Sequence, residues 1–543
     1  MDQPLRTEIA RACRRLLSEQ NRDRQTPTFG CFDRRFWSWK LVDFPEATFQ
    51  RNVLPLAWQM HSLPEGDGLR PVLAEAVTAG LLYATRIQHG DGSFDQAFPN
   101  ERSFGATAFV AESLAAAYVL ARDGMMADDR AAVEAMLKRA AAFLCDHDET
   151  HGVICNHLAG AAWALVQCAD LFADERFEKR AAGLLRQVLA NQSGEGWFTE
   201  YQGADPGYQT LCLYFLAQVA QRRASDDLRA AISRGVEFVS WFAHPDGSFG
   251  GEYGSRRTAI CYPGGLALLA RDNPLAAAMT RFAAASMGEG RAVGLADIDI
   301  ANMAPLLSNC VHLADALDAL PASNLPALPC QRADAAKDFP QAGLYVRSAG
   351  RLYAVIGASN GGVLKVFDRA ARRIVSDDGG YAGRDASGAL VTTQVTVASP
   401  RVQASEREIT IDADFCTVGQ AVPTPAKFLL LRLLNLTAMA SIGIGNAVKG
   451  LLVRLLIAGG KPAGLRLTRR IAFADDSITV DDRIEGSGVV LRSLECGHPF
   501  VAIHMASSRY YPGFAASAMP GRSIDVVALA ANGTVTSRAE IVP

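Results

Sequence analysis

The chain has 543 residues, 49% hydrophobic and 20% charged, the balance of a folded protein too long for one ordinary core. A formal net charge of −3 leaves no basic excess for a phosphate backbone, which excludes nucleic acid as an expected partner. The 11 cysteines are scattered from Cys13 to Cys496 with no CxxC pair and no closely spaced framework, so no structural zinc site, disulfide scaffold or cofactor is predicted.

The opening MDQPLRTEIARACRRLL predicts a charged amphipathic helix without the apolar core and cleavage site of a secretory signal, so a cytoplasmic location is expected. FGCFDRRFWSWKLVDFP then concentrates Phe32, Asp33, Arg34, Arg35, Trp37, Trp39 and Lys40. This mixture suits stacking on an acidic saccharide and pairing with it, or an aromatic clasp that closes a helical ring.

From about residue 70 to 320 the chain is rich in Ala and Leu at helical spacing, as in FGATAFVAESLAAAYVLA and HLAGAAWALVQCADLF. Turns of related pattern recur at QHGDGSFDQ (Gly92), SGEGWFTEY (Gly196) and HPDGSFGGEY (Gly247), with a divergent member, DETHGVICNH, at Gly152. Their spacing implies a unit of roughly 50 residues, enough for one antiparallel helix pair. Such pairs close into an α/α toroid with all the repeated turns on one rim. Ser103, Thr107, Asn156, His157, Tyr201, Tyr208, Arg256 and Arg257 follow these turns at predicted helix starts. A rim of helix N-termini suits a carboxylate or sulfate on a sugar chain. Each residue also has a structural alternative: His157 as a hydrogen-bonded cap, Tyr208 as a packed ring, the arginine pair as a solvated face. DGSF-type turns also end helices in other toroids, such as terpene cyclases and prenyltransferase subunits, but this chain has no DxDD motif and no prenyltransferase-like zinc cluster.

The Pro-rich stretch 320–340 reads as a linker, because the runs beyond it (LYVRSAG, LYAVIGA, GALVTTQVTVA, SITVDDRIEG) alternate and are β-branched. Helices followed by strands predict two segregated domains: an incomplete (α/α) toroid over 1–330 and an antiparallel β-sandwich over 331–543. An apolar stretch at 427–460 is interrupted by Arg432, Asn435, Asn446, Lys449 and Arg454, which argues against a membrane span. It reads as two short amphipathic helices inserted in the sandwich. These would either lie in an anionic membrane interface at the inner face of the membrane or pack against the toroid. Late in the sandwich, CGHPFVAIHMASSRYYP supplies His498, His504, Arg509, Tyr510 and Tyr511, with His504 a further acid/base candidate and Tyr510 and Tyr511 saccharide-binding candidates.

CNHLAGAAWAL, GWFTEYQGADPGYQTLCLYFLA and DDGGYAG together resemble the heparinase II/III-like proteins and the related alginate lyases. The resemblance implies that Asn156 holds a uronate carboxylate, His157 acts as base or polarises the site, and Tyr208 moves a proton, with Tyr201 the fallback. Arg34, Arg35, Trp37, Tyr201, Arg256 and Arg257 would bind substrate. The His-rich segment that such sandwiches carry near their start is replaced here by YAVIGASNGGVLKVFDRAARRIV, which contains no His. The expected function is abstraction of the C5 proton of a uronate in an acidic polysaccharide or lipid-linked oligosaccharide, giving β-elimination or C5 epimerisation, with cell-surface polysaccharide synthesis as the setting. The alternatives are a non-catalytic saccharide-binding protein and a glycoside hydrolase that uses Asp91, Asp95 and Glu101, or Glu200 and Asp205, as paired carboxylates.

Overall fold

The computed structural model describes residues 2–543 except 151, 202, 321–323, 420–423, 441–442, 446–459, 487 and 498–521. Helices fill the first part: α1 (Asp2–Glu19), α2 (Arg34–Trp37), α3 (Val53–Ser62), α4 (Leu69–Ile87), α5 (Phe104–Ala121), α6 (Ala127–Asp146), α7 (Cys155–Phe172), α8 (Glu175–Ala190), α9 (Pro206–Arg222), α10 (Asp226–Ser240), α11 (Gly264–Leu269), α12 (Pro274–Gly288) and α13 (Ile300–Leu317). Helices α3, α5, α7, α9, α11 and α13 pack each against the next, and α13 returns to α3, so they form a closed inner ring. Helices α1, α4, α6, α8, α10 and α12 lie outside it. This is the toroid expected from the repeat, with the contact of α13 on α3 closing an inner ring that the sequence reading had as incomplete. It is thinnest at α11, which has only 6 residues.

Residue character follows the two rings. Outer α8 is amphipathic, burying Phe177, Ala181, Leu184 and Val188 at helical spacing and leaving its charges in water. Inner α5 is apolar all round. Phe104–Gly124 is long and apolar enough to cross a membrane, but 78% of its apolar window is buried, because α5 is the inner wall between α3 and α7.

Each repeated turn joins the end of an outer helix to the start of an inner one, which puts the turns on a common rim. The stitching is regular. Gln88 Nε2 donates to the carbonyls of Gly92 and Met136 at 3.0 Å each, and Gln192 Nε2 donates to those of Gly196 and Ala231 at 3.0 and 2.8 Å. Gly30 belongs to the same set, with φ of +93° beside +94° at Gly92, +97° at Gly196 and +94° at Gly247. The sequence pattern did not reveal this member, since FGCF lacks the acidic residue before the glycine. A Cβ at Gly92 would stand 2.1 Å from the Arg139 carbonyl oxygen, in a left-handed conformation as well. Gly92→Ala is therefore expected to destabilise the toroid by about 1–3 kcal/mol, read as a lowered denaturation midpoint.

Beyond Leu317 the chain becomes antiparallel sheet. A 5-stranded sheet runs in the order β1 (Ala336–Phe339), β2 (Leu344–Ala349), β3 (Leu352–Gly357), β4 (Val363–Asp368), β5 (Arg373–Asp378). A second, 9-stranded sheet holds β6 (Tyr381–Asp385), β7 (Leu390–Thr392), β8 (Arg401–Ala404), β9 (Glu408–Val418), β10 (Lys461–Ala474), β11 (Ser477–Glu485), β12 (Leu491–Cys496), β13 (Arg522–Ser523) and β14 (Thr534–Ile541). Strands β2 to β4 are buried on both faces. Leu344, Val346, Tyr353, Val355 and Phe367 join the toroid core, while Tyr345, Ala354, Ile356, Leu364 and Val366 pack on Ile409, Ile411, Ile471 and Val480 of the second sheet. The apolar run of LYAVIG reflects that double burial.

The first sheet also locks the toroid rim in place. Tyr353 Oη donates to the Trp241 carbonyl at 2.7 Å, and Asn360 Nδ2 donates to the carbonyls of Glu252 and Gly254 at 2.7 and 2.8 Å. Lys365, buried in β4, pairs with Glu252 of the toroid at 2.8 Å and with Asp377 at 2.7 Å. The cysteines are all free, and all but Cys145 and Cys416 are buried.

Of the apolar insertion, helix α14 (Pro425–Leu436) and residues up to 445 are partly described, while 446–459 lie outside the described residues, as do His498, His504, Arg509, Tyr510 and Tyr511.

Candidate active site on the toroid rim

The N-termini of α7 and α9 and the loop before α11 bring Asn156, His157, Glu200, Tyr201, Tyr208 and Arg256 into one cluster. Asn156 is fully buried in the first turn of α7, and its Nδ2 donates to both carboxylate oxygens of Glu200 at 2.7 and 2.8 Å. Backbone pairing of Ile154 with Glu200 sets this register. Burial pushes Glu200 up to about 7, against the opposing pull of Arg256, His157 and the Asn156 amide. The Asn156 donors are therefore committed to Glu200, where the resemblance had them hold a substrate carboxylate.

His157 lies beside this pair, with its side chain 23% exposed. Its Nδ1 lies 2.7 Å from Oε2 of the buried Glu149, and its ring meets Phe109 edge-on at 5.2 Å. With Nδ1–H given to Glu149, Nε2 is left as the basic nitrogen. Gly105 makes room for the ring, because a Cβ there would come within 2.5 Å of Nδ1. Glu149 is a functional candidate that sequence reasoning missed. It sits in the divergent turn HDETHG, where nothing in the spacing distinguishes it from the neighbouring acids.

Arg256 is held between two aromatic faces, its guanidinium carbon 4.5 Å from the Tyr201 ring centre and 4.6 Å from that of Tyr208. Its polar contacts are long, 3.5 Å to Glu200 and 3.4 Å to Tyr208 Oη, and its Nε has no hydrogen-bond partner among the described residues. It is thus a fixed cation with unused donors. Burial pushes Tyr208 up to about 12 despite Arg256, which keeps the phenol protonated and makes it a proton donor at neutral pH. Buried Asp205 caps α9 through the Tyr208 N–H at 2.9 Å and also accepts from the Arg256 N–H at 2.9 Å, so one carboxylate sets both residues.

Other predicted residues serve the architecture. Arg257 is buried and donates to the Gln394 carbonyl of the sandwich, so it belongs to the domain interface and not to a saccharide surface. Arg35 pairs with Asp33 and Glu46, and Trp37 Nε1 donates to the Glu19 carbonyl at 2.8 Å, which makes this segment the clasp on α1. Arg34 is exposed and has no ion-pair contact with the cluster. Of the carboxylates named for hydrolysis, the first set is bound up in turns, with Asp91 accepting from Ser93, Asp95 from the Asn100 and Arg102 N–H groups, and Glu101 from those of Gln96 and Ala97, whereas Glu200 and Asp205 lie in the cluster, held by Asn156 and by the Tyr208 and Arg256 N–H groups. Among the described residues no group of His, Cys, Asp and Glu is arranged to hold a metal ion.

The raised Glu200 carboxyl makes a testable statement about pH. The unfolded chain releases this proton near the ordinary value of 4.5, whereas the folded protein keeps it to about 7, so the contribution of Glu200 is full below 4.5 and is lost as pH rises through 7. Glu200→Gln is expected to flatten that part of the stability profile, measured by urea unfolding across the same window.

Residues 73–267 match the family model of the ulvan lyase N-terminal domain, a stretch that includes the whole cluster. Among solved structures, xanthan lyase from Paenibacillus is similar at 11% identity and a TM-score of 0.54, over 90% of this chain and 46% of that one. Heparinase III matches at 11% identity (84% of this chain, 66% of that chain, TM-score 0.47). The heparan sulfate lyase of Pedobacter heparinus matches at 12% (90% and 70%, TM-score 0.45). None of the curated proteins matches the chain. The helical half is similar to a polysaccharide lyase domain in sequence, and the chain shares its toroid-plus-sheet fold with xanthan lyase.

Proposed function

We propose that this chain, whose helical half matches a polysaccharide lyase family, abstracts the C5 proton of a uronate within an acidic polysaccharide. One observation carries the reading: a restrained arginine with unused donors stands beside a histidine whose other ring nitrogen is held by a buried carboxylate. Arg256 receives the uronate carboxylate, with Glu200 and Asn156 beside it, and neutralisation of that charge makes C5 acidic enough to ionise. His157 Nε2 takes the C5 proton. In β-elimination the electron pair left on C5 forms the C4–C5 double bond, the C4–O4 bond breaks, and the Tyr208 phenol protonates the departing oxygen. In epimerisation the C4–O4 bond survives and Tyr208 returns a proton to C5 from the opposite face. The two outcomes share their first step, and the match to an ulvan lyase domain favours elimination.

The test is incubation of the purified protein with a panel of uronate polysaccharides in D2O. Ultraviolet absorbance reports the unsaturated product, and NMR reports deuterium at C5. Absorbance growth supports a lyase, and deuterium uptake without it supports an epimerase. If a polymer binds but shows neither signal, proton abstraction is excluded in favour of a binding protein.

A further inference from the structure

The exposed face of α14 has no counterpart in the chemistry of the rim. Helix α14 carries an apolar face turned outward: Leu431, Leu434 and Asn435 turn toward the protein, whereas Leu429, Leu430, Leu433 and Leu436 stand in water, Leu429 71% and Leu433 60% exposed. It is anchored to the rim, since Arg432 pairs with Asp43 at 2.7 Å and the Asn435 carbonyl accepts from Asn100 Nδ2, in the turn that starts α5, at 3.0 Å. The loop that meets α14 through Asp43 also carries Trp39 and Leu41, 67% and 77% exposed, so exposed apolar side chains occur on both segments joined by the Arg432–Asp43 pair.

The charges beside these side chains have one sign. Arg34, Lys40 and Lys427 are exposed and form no ion pair with any described residue, and the neighbouring Asp43 is neutralised by Arg432. Between Asp414 and Asp475 the sequence contains no acidic residue, and on α14 itself Lys427 is left as a cation with no ion pair to a described residue. An apolar helix face flanked by unpaired cations complements an anionic lipid surface, with the leucines at acyl depth and the cations among headgroups.

We infer that α14 and the 39–41 loop form a docking edge for an anionic membrane interface. The inference is independent of the chemistry assigned to His157 and Arg256. Docking through this edge brings the rim that carries the Gly92 turn to the bilayer, where a lipid-linked or nascent polymer is within reach.

The experiment is flotation of the full chain with vesicles of pure phosphatidylcholine and of phosphatidylcholine mixed with phosphatidylglycerol. The protein should float with the anionic vesicles and far less with the neutral ones, and added salt should weaken the binding. Leu429→Asp combined with Leu433→Asp should abolish flotation without moving the thermal unfolding midpoint. Each of Lys40→Glu and Lys427→Glu should weaken anionic binding by about tenfold. If the wild-type chain stays unbound to both vesicle types, whether as a monomer or through self-association on this face, the inference is overturned. Undiminished flotation of the double leucine variant overturns it equally.

Discussion

His157→Ala is expected to lower turnover on the responsive uronate polymer by about 10²–10⁴-fold, the usual contribution of a positioned acid or base. The KM should change little, because a base acts on a bond that ionises only in the transition state. Loss of Arg256 is expected to behave differently. A guanidinium that neutralises the carboxylate acts in both the ground state and the transition state, so Arg256→Ala should raise KM and also lower turnover, by about 10²–10³-fold overall. The Glu149→Gln variant separates positioning from basicity. Its amide can still meet Nδ1 2.7 Å away and hold the ring but carries no charge, so activity should fall less than in His157→Ala. Equal activity of His157→Ala and wild type in single-turnover measurements would remove His157 from the chemistry.

Arg469→Ala is expected to destabilise the sandwich by about 3–5 kcal/mol, the largest effect on stability anticipated for a single substitution here. Arg469 is fully buried and holds two carboxylates, Asp482 at 2.8 Å and Asp378 at 2.9 Å, while its Nη1 donates to the Gly362 carbonyl at 2.6 Å. Tyr381 Oη donates to Asp482 as well, at 2.7 Å. Removing the guanidinium strands both acids in an apolar interior. Burial raises Asp378, but Arg469 and the Gly380 N–H outweigh it and hold the carboxyl below its ordinary value. In the wild type, therefore, the stability from Asp378 is present above the unfolded value and is lost as pH falls through the folded one. Without Arg469, burial is opposed only by the Gly380 N–H, Cys496 and Arg522, so the carboxyl shifts upward and the penalty of the substitution grows as pH rises. Urea unfolding of the variant should show a smaller loss near about pH 4 than near about pH 8, and equal losses would show that the carboxylates have found other partners.

The same network gives DDGGYAG its meaning. Asp377 pairs with Lys365 at the toroid interface, whereas Asp378 and Tyr381 reach the Arg469 network. Adjacent residues of a strand face opposite sides, so one short motif ties the first sheet to the toroid and to the second sheet. From Gly362 the connection continues through Asn360 to the Glu252–Gly254 backbone, which carries Arg256. The sandwich thus contributes to the site by holding its arginine in place.

Much of this architecture is written locally. Glycines with positive φ before apolar runs, hairpin spacing, and the change from helical to alternating pattern near residue 330 are properties of neighbouring residues, and they specified a toroid, a sandwich and a rim with Asn156, His157 and Tyr208 upon it. The tertiary structure alone decided which rim residues gather into one cluster and which are taken up in packing. Arg256 and Arg257 are adjacent and alike, but one guanidinium lies between two tyrosine rings while the other is consumed by Gln394, 137 residues further along the chain. Glu149 and Glu200 look like ordinary turn acids until folding buries their carboxyl groups beside His157 and Asn156. The physical reason is that burial and pairing depend on contacts distant in sequence, whereas pattern and propensity report only what is near.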